Sequence, residues 1–323
     1  MTERVQLLGI SNAIVDVLAH VDEALLARID APRGSMTLID EHKAREVYGL
    51  MGPATEVSGG SVANTVANFA SLGGRAAYIG RVKADQLGDI FVHDMRSLGV
   101  DVRLPPAADG LPTARSYILI TPDGQRTMQT YLGACTQLAV SNITPETVGD
   151  PEILLVEGYL WDLPEGPALI EKAMAIAHDR GARIALSLSD SMCVDRHRAE
   201  FTRAVEGHVD IVFADDDEVM SLFETADFAA VERKAAELGK LFVMTRSEKG
   251  SVIVEGEVHI RQEAIQVPRV VDSTGAGDAY TAGFLHGLAN GKALDACARF
   301  ATECATAVIQ QVGARIEKGR FSP

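Results

Sequence analysis

The sequence predicts an α/β protein, with a mostly parallel central sheet covered by helices on both faces and a small β-sheet lid beside it. Three observations carry that reading. In the second half, short apolar runs alternate with helical segments, the pattern left by crossover connections between parallel strands. In the first half, several extended pieces have no helical crossover between them, which suits a separate small sheet. Two glycine-rich turns, one around Gly59-Gly60 and one at Gly275-Ala276-Gly277, each lead into a helix and can leave backbone amides uncovered at its start.

The elements follow in chain order. Residues 6–10 read as the first strand, and residues 13–21 and, after Pro32-Arg33-Gly34, 35–39 as extended pieces of the lid. The Ser58-Gly59-Gly60 turn opens a helix with Val62, Val66 and Phe69 at helical spacing, stopped by Gly73 and Gly74. Residues 115–120 and 126–132 flank a hairpin turn at 121–125. Strands are expected at 153–156, 183–188, 209–214 and 241–245. Helices are expected at 168–180, 196–206, 218–223 and 228–238. The β-branched pair Val270-Val271 reads as the end of a strand that turns into a helix through Gly275-Ala276-Gly277. The division that results places residues 1–14, 41–111 and 135–323 in the α/β core and 15–40 and 112–134 in the lid.

Composition excludes several functions. The 323 residues carry a formal net charge of −15, and the densest basic group, Arg196-His197-Arg198, is followed at once by Glu200, so no stretch would neutralise nucleic-acid phosphates. No apolar run approaches membrane-spanning length and the N-terminus has no extended apolar segment, so no membrane partner and a cytoplasmic location are expected. Cys135, Cys193, Cys297 and Cys304 form no CxxC pair and read as reduced core thiols. Asp190, Cys193, Asp195 and His197 collect metal-ligand types without zinc spacing, and that stretch reads as a loop capping the next helix. Residues 287–292 superficially suggest a phosphate-binding Walker A loop, but lie between helices and lack the closing Ser/Thr.

The chemistry concentrates at the second glycine turn. A helix N-terminus binds anions through its unpaired first-turn amides and the positive end of its dipole. Asp278 falls in that first turn, where a carboxylate can reach a hydroxyl placed beside a phosphate, the arrangement that phosphoryl transfer to an alcohol requires. Asn64 falls in the first turn of the earlier helix, in position to bond a ligand hydroxyl. Asp16 is a charge inside an otherwise apolar run and needs hydrogen-bond donors, which ligand hydroxyls can provide.

Together the Gly59-Gly60-Ser61-Val62-Ala63-Asn64-Thr65 and Asp272-Ser273-Thr274-Gly275-Ala276-Gly277-Asp278 stretches resemble the two signatures of the PfkB/ribokinase family of carbohydrate and nucleoside kinases. Residues 11–16, 157–161 and 245–250 fall in the right order, and their details look most like the adenosine kinase branch, especially its bacterial members. The resemblance implies a ribokinase-like three-layer fold and an ATP- and Mg²⁺-dependent kinase, with room for a monovalent cation such as K⁺. It points first to adenosine as acceptor, with another purine nucleoside or a sugar (ribose, fructose or 2-keto-3-deoxygluconate) as the alternative within the class. It implies Asp278 as base, with Gly275, Ala276 and Gly277 supplying amides to the transferred group. Acceptor contacts fall to Asn12, Asp16, Gly60, Ser61 and Asn64. Arg126, Met128, Thr130 and Tyr159 are candidate pocket walls, with Arg126 near the phosphate. The nucleotide side implicates Asp215, Thr245, Ser247, Gly250, Thr274, Gly275 and Gly277, with Glu218 placing Mg²⁺ through water. Departures from the family pattern are Asp215 for an asparagine, Ser247 for a glycine, and no asparagine near Thr302. A Rossmann dehydrogenase is disfavoured, since no G-x-G-x-x-G follows the first strand. A catalytically inactive ligand sensor is disfavoured by the retained Asp278. A small-molecule acceptor and a monomer or homodimer complete the expectations.

Overall fold

Leu7–Ile10 (β1) is buried at all four positions, as a strand covered by helices on both faces must be. The computed structural model describes residues 4–321, so the outermost residues of the expected core segments, 1–3 and 322–323, lie outside the described residues. From β1 the chain crosses into a second sheet at Ile14–His20 (β2), passes Glu23–Arg28 (α1), and returns to that sheet at Met36–Leu38 (β3). After Glu41–Leu50 (α2), Thr55–Gly59 (β4) pairs antiparallel with β2. Ser61–Ser71 (α3) leads back to Ala76–Ile79 (β5), then Gln86–Ser97 (α4) and Asp101–Val102 (β6). Ala114–Ile120 (β7) and Arg126–Tyr131 (β8) form the expected hairpin, closed by the Thr121 amide on the Gln125 carbonyl at 3.0 Å.

The second half alternates as expected. In order come Pro145–Val148 (α5), Ile153–Glu157 (β9), Gly166–Asp179 (α6), Arg183–Ser187 (β10) and Ser191–Glu206 (α7). Ile211–Asp215 (β11), Asp216–Leu222 (α8), Phe228–Leu238 (α9) and Leu241–Thr245 (β12) follow. An antiparallel pair, Ser251–Glu255 (β13) and Val258–Gln262 (β14), precedes Ala276–Ala289 (α10) and Leu294–Val308 (α11).

The nine-stranded sheet has the order β14-β13-β12-β11-β10-β9-β1-β5-β6 and is parallel from β12 to β6. Successive strand residues face opposite sides. Leu7, Tyr78, Leu155 and Phe213 pack with Phe69 of α3 and Phe284 of α10, whereas Leu8, Leu154, Val212 and Phe242 pack with Leu169 of α6 and Phe201 of α7. Each such fully buried side chain contributes about 1.5–3 kcal/mol. The result is the expected three-layer architecture.

The second sheet has five strands in the order β3-β8-β7-β2-β4. One of its faces, with Val15, Val17, Tyr117 and Leu119, joins the core through Leu26, Ala44 and Val47 of α1 and α2.

Three sequence expectations are corrected. Residues 55–59, within the 41–111 stretch expected in the core, form a strand of the small sheet. The stretch 190–197 is the start of α7 and not a loop: Asp190 accepts the Cys193 amide as N-cap, and only His197, with φ −122°, departs from helical geometry. Val270-Val271 is exposed and lies outside any strand, the Val271 amide instead bonding the Ile309 carbonyl after α11.

Candidate active site

The strand order reverses direction at β1, with β5 on one side and β9 on the other, and the crevice beyond the carboxyl ends of such strands is where an open α/β sheet binds ligands. Glu157, ending β9, is fully buried there. Its Oε1 accepts from the Asn12 amide and Asn12 Nδ2 at 3.3 and 3.1 Å, and Oε2 accepts from the Val62 amide at the start of α3 at 3.1 Å. Burial raises its pKa to about 7 against those hydrogen bonds. Asn12 Oδ1 and Asn64 Oδ1 are buried without a hydrogen-bond partner among the described residues. Buried polar atoms are rarely left so, and both are acceptors that a ligand hydroxyl could satisfy.

Asp278 is held from α3. Ser61 Oγ donates to its Oδ1 at 2.7 Å and Asn64 Nδ2 to its Oδ2 at 3.0 Å, while Thr65 Oγ1 donates to its backbone carbonyl. Burial raises the Asp278 pKa to about 6, opposed by the Asn64 and Ser61 bonds and by the Arg315 charge. Gly275, the N-cap of α10, has φ 73°, and a Cβ there would lie 2.3 Å from the Ala314 Cβ, so conformation and packing both require glycine. The Ala276 amide donates to the Ser273 carbonyl. The next amides, of Gly277 and Asp278, precede the first intrahelical bond and open on space beside the Asp278 carboxylate.

The lid supplies the facing wall. Asp16 pairs with Ser116 across β2 and β7, Ser116 with Thr130, and Thr130 with Leu38, so these four share one face. The adjacent row on that face is Leu18, Ile118, Met128 and Met36. Arg126, two residues from Met128, fixes which way the face looks. Its Nη1 donates to Thr274 Oγ1 at 2.8 Å and its Nη2 to Asp272. Asp272, just 2 % exposed, also accepts from the Thr274 and Gly313 amides, tying lid, glycine turn and C-terminal segment together. Burial raises Asp16 to about 7, with the Arg315 and Arg126 charges opposing and Asp278 adding to it. Gly59 is required beside it, since a Cβ would meet the Asp16 carboxylate at 2.3 Å.

On the far side of Asp278 the cleft continues as two adjoining cavities of about 430 and 420 Å³ that share Thr245, Ser247 and Gly277. The first is acidic, with Asp215, Asp216, Asp217 and Glu218. The second is mostly apolar, between Ile265 and Val267 on one side and Ala276, Tyr280, Ala305 and Ile309 on the other. Asp215 caps α8: its Oδ1 accepts the Glu218 amide and Glu218 Oε2 accepts the Asp215 amide, at 2.8 and 3.0 Å. Burial, then the Asp215 charge, raises Glu218 to about 8, and burial raises Asp215 as well. Ser247 has φ 51°, which explains why a glycine suits that position. Gly250, at φ 82°, lies where a Cβ would come within 2.0 Å of the Gln262 carbonyl. No group of three or more His, Cys, Asp or Glu among the described residues is arranged to hold a metal directly.

Of the expected residues, Ser61, Asp215, Glu218, Thr245, Ser247, Gly250, Ala276, Gly277 and Asp278 line these two cavities, while Asp16, Arg126, Met128 and Thr130 lie on lid strands. Tyr159 turns its hydroxyl to the Ser189 carbonyl at 3.4 Å, beside β10 and away from the lid. Thr302 lines the apolar cavity while its hydroxyl bonds Ala298. Sequence reasoning missed Glu157 as a site residue, the Asp272–Arg126 pair, and Arg315, whose guanidinium reaches the start of α3 from the far end of the chain. A buried charge ending an apolar strand was the available signal for Glu157; nothing local marks Arg315.

Comparison with known proteins agrees with this geometry. The profile described as pfkB family carbohydrate kinase matches residues 36–318. The crystal structure of adenosine kinase from Sinorhizobium meliloti superposes with a TM-score of 0.90 at 45% identity, covering 97% of this chain and 96% of that one. A probable sugar kinase protein from Rhizobium etli superposes with a TM-score of 0.88 at 44% identity, covering 97% and 95%. Adenosine kinase 1 of Arabidopsis thaliana is 24% identical over 335 residues, 95% of this chain and 94% of that protein. No helix among the described residues is long and apolar enough to cross a membrane.

Proposed function

Because this chain belongs to the pfkB family of carbohydrate kinases, and is therefore a phosphotransferase with an alcohol group as acceptor, we propose that it transfers the γ-phosphate of ATP to the 5′-hydroxyl of adenosine, giving AMP. The carrying observation is the lid face. Asp16 stands there beside an apolar row that ends in Met36, and its own row ends in Leu38; the two are 48 and 58% exposed, on the strand furthest from β4. A carboxylate for a ribose diol next to apolar side chains for a planar base is a nucleoside's chemistry. A free sugar or sugar acid leaves that row uncovered. The two similarly close structures bear different descriptions, adenosine kinase and probable sugar kinase, so the acceptor rests on this face.

In this reading the ribose hydroxyls meet Asp16 and the free Oδ1 atoms of Asn12 and Asn64. The 5′-hydroxyl lies against Asp278, whose pKa of about 6 keeps it ionised at neutral pH while leaving it basic enough to take a proton. As the oxygen attacks the γ-phosphorus, its proton passes to Asp278, the bond to the β-phosphate oxygen breaks, and ADP leaves. The Gly277 amide and the α10 dipole face the charge on the transferred group. The adenine of ATP occupies the apolar cavity, and its phosphates run past Thr245 and Ser247. Their closeness to Asp215–Glu218 calls for cations, and Glu218 would hold a Mg²⁺ there through water. Bound there, Mg²⁺ supplies charge neutralisation to the phosphates. The test is ATP consumption with Mg²⁺ across adenosine, inosine, guanosine, ribose, fructose and 2-keto-3-deoxygluconate. Adenosine is expected to give the highest kcat/KM, and turnover of a sugar without any nucleoside would overturn the assignment.

A further inference from the structure

Arg315 is a cation brought to the acceptor side from beyond α11. Its Nη1 donates to the Ala63 and Asn64 carbonyls at 2.9 and 3.3 Å, and its Nη2 to the Ser58 carbonyl and Oγ at 2.6 and 3.1 Å. These partners lie on both sides of the β4–α3 turn, whose Gly60 has φ 94°. The backbone around Arg315 is anchored in turn. Asn68 Nδ2 donates to the Ala314 carbonyl at 2.9 Å, Asn68 Oδ1 accepts the Ile316 amide at 2.8 Å, and the Gly313 amide bonds Asp272 at 2.7 Å. The guanidinium is therefore fixed against the very turn whose Ser61 and Asn64 hold Asp278.

Every hydrogen bond from this guanidinium goes to a neutral oxygen, and among the described residues no carboxylate stands within ion-pair distance of it. The charges that act on it through space are Asp16 from β2, Asp278 from α10 and Asp94 from α4, with the Tyr78 hydroxyl from β5. Arg126 from β8 also acts on Asp16, and Glu157 from β9 is coupled to Asp278. Asp94 itself accepts the Ser58 amide at 2.9 Å. A crevice holding Asp16, Glu157 and Asp278 contains far more negative charge than a buried site tolerates without compensation. Arg126 is committed to Asp272, which leaves Arg315 as the compensating group.

We propose that Arg315 is the positioning residue of the acceptor side: it clamps the β4–α3 turn and supplies the positive charge that balances the carboxylates of Asp16 and Asp278. This rests on Asp16 and Asp278 being the acceptor ligand and the base, yet it can be tested without turnover. The experiment compares melting temperatures of the full chain, Arg315→Met, Asp16→Asn and the double variant at pH 5 and pH 8. Groups whose folded-state pKa is raised, as at Asp16, contribute stability at low pH that is lost as pH rises through the folded value. Removing the compensating cation raises that value further, so the deficit of Arg315→Met, which includes the lost clamp at any pH, should be larger at pH 8 than at pH 5, and Asp16→Asn should restore part of it at pH 8. A deficit equal at both pH values and untouched by Asp16→Asn means a purely mechanical clamp and overturns the proposal. If Arg315→Met is not recovered folded, recovery of the double variant supports the charge balance, and failure of the double variant overturns it. In kinetics, the acid limb of kcat/KM should move up by about one pH unit in Arg315→Met and stay in place in Arg315→Lys. An unmoved limb in Arg315→Met likewise contradicts the proposal. Absence of turnover in the native chain would sink the kinase reading while leaving the melting comparison decisive for Arg315.

Discussion

On the acceptor side nearly every charge is tied down. Asp278 is bonded from Ser61 and Asn64, Glu157 from Asn12 and Val62, and Asp272 from Arg126, Thr274 and Gly313. On the donor side Asp215 and Glu218 bond backbone amides of their own helix start, and the cavity they line is continuous with an apolar one. The difference teaches where rigidity is needed. A base must be held to a fraction of an ångström for in-line attack. Phosphates that arrive with their own cations need a field and a path more than a fixed cage.

Substitutions should respect that asymmetry. Asp278→Asn should fold normally and lose about 10²–10⁴-fold in kcat/KM, measured by coupled ATP consumption; near-native turnover would remove Asp278 as base. Arg126→Met strands the buried Asp272 carboxylate and should cost about 3 kcal/mol in urea unfolding, with Asp272→Asn in the same chain recovering part of it. An unchanged midpoint would mean the lid contact carries no energy. Asp16→Ala removes hydrogen bonds to a charged group, so the acceptor KM should rise about tenfold or more while the KM for ATP holds. Equal effects on both would place Asp16 outside the acceptor subsite. Asp215→Asn is the mildest case. Asparagine caps a helix as well as aspartate does, so stability should hold while the Mg²⁺ concentration for half-maximal rate shifts by about two- to threefold. A large drop in activity would show that the donor side is as finely tuned as the acceptor side.

The two sides were also unequally legible in the sequence. The Gly275–Asp278 and Gly60–Asn64 turns announce themselves because their chemistry is contiguous: a glycine forced by φ or packing, then a polar side chain in a helix first turn. The alternating β9 to β12 segment was equally plain, since buried parallel strands are apolar at nearly every position. Arg315, the Arg126–Asp272 pair and β4 were not. Each depends on a partner far along the chain, Ser58 for Arg315 and β2 for β4, and nothing in the local pattern encodes that meeting. The apparent strand before Asp272 failed for a related reason. A β-branched pair has strand propensity, but here it lies exposed beside the end of α11 with no sheet edge to join.

The central claim is that buried, raised carboxylates at Asp278 and Asp16 must be ionised for the acceptor to react. Its most direct measurement is the pH dependence of kcat/KM for adenosine with saturating Mg²⁺ and ATP. Since both pKa values are raised, to about 6 and about 7, activity should climb as pH rises through that interval and level off above it. An acid limb near pH ~4, where an unperturbed carboxylate titrates, would contradict the account.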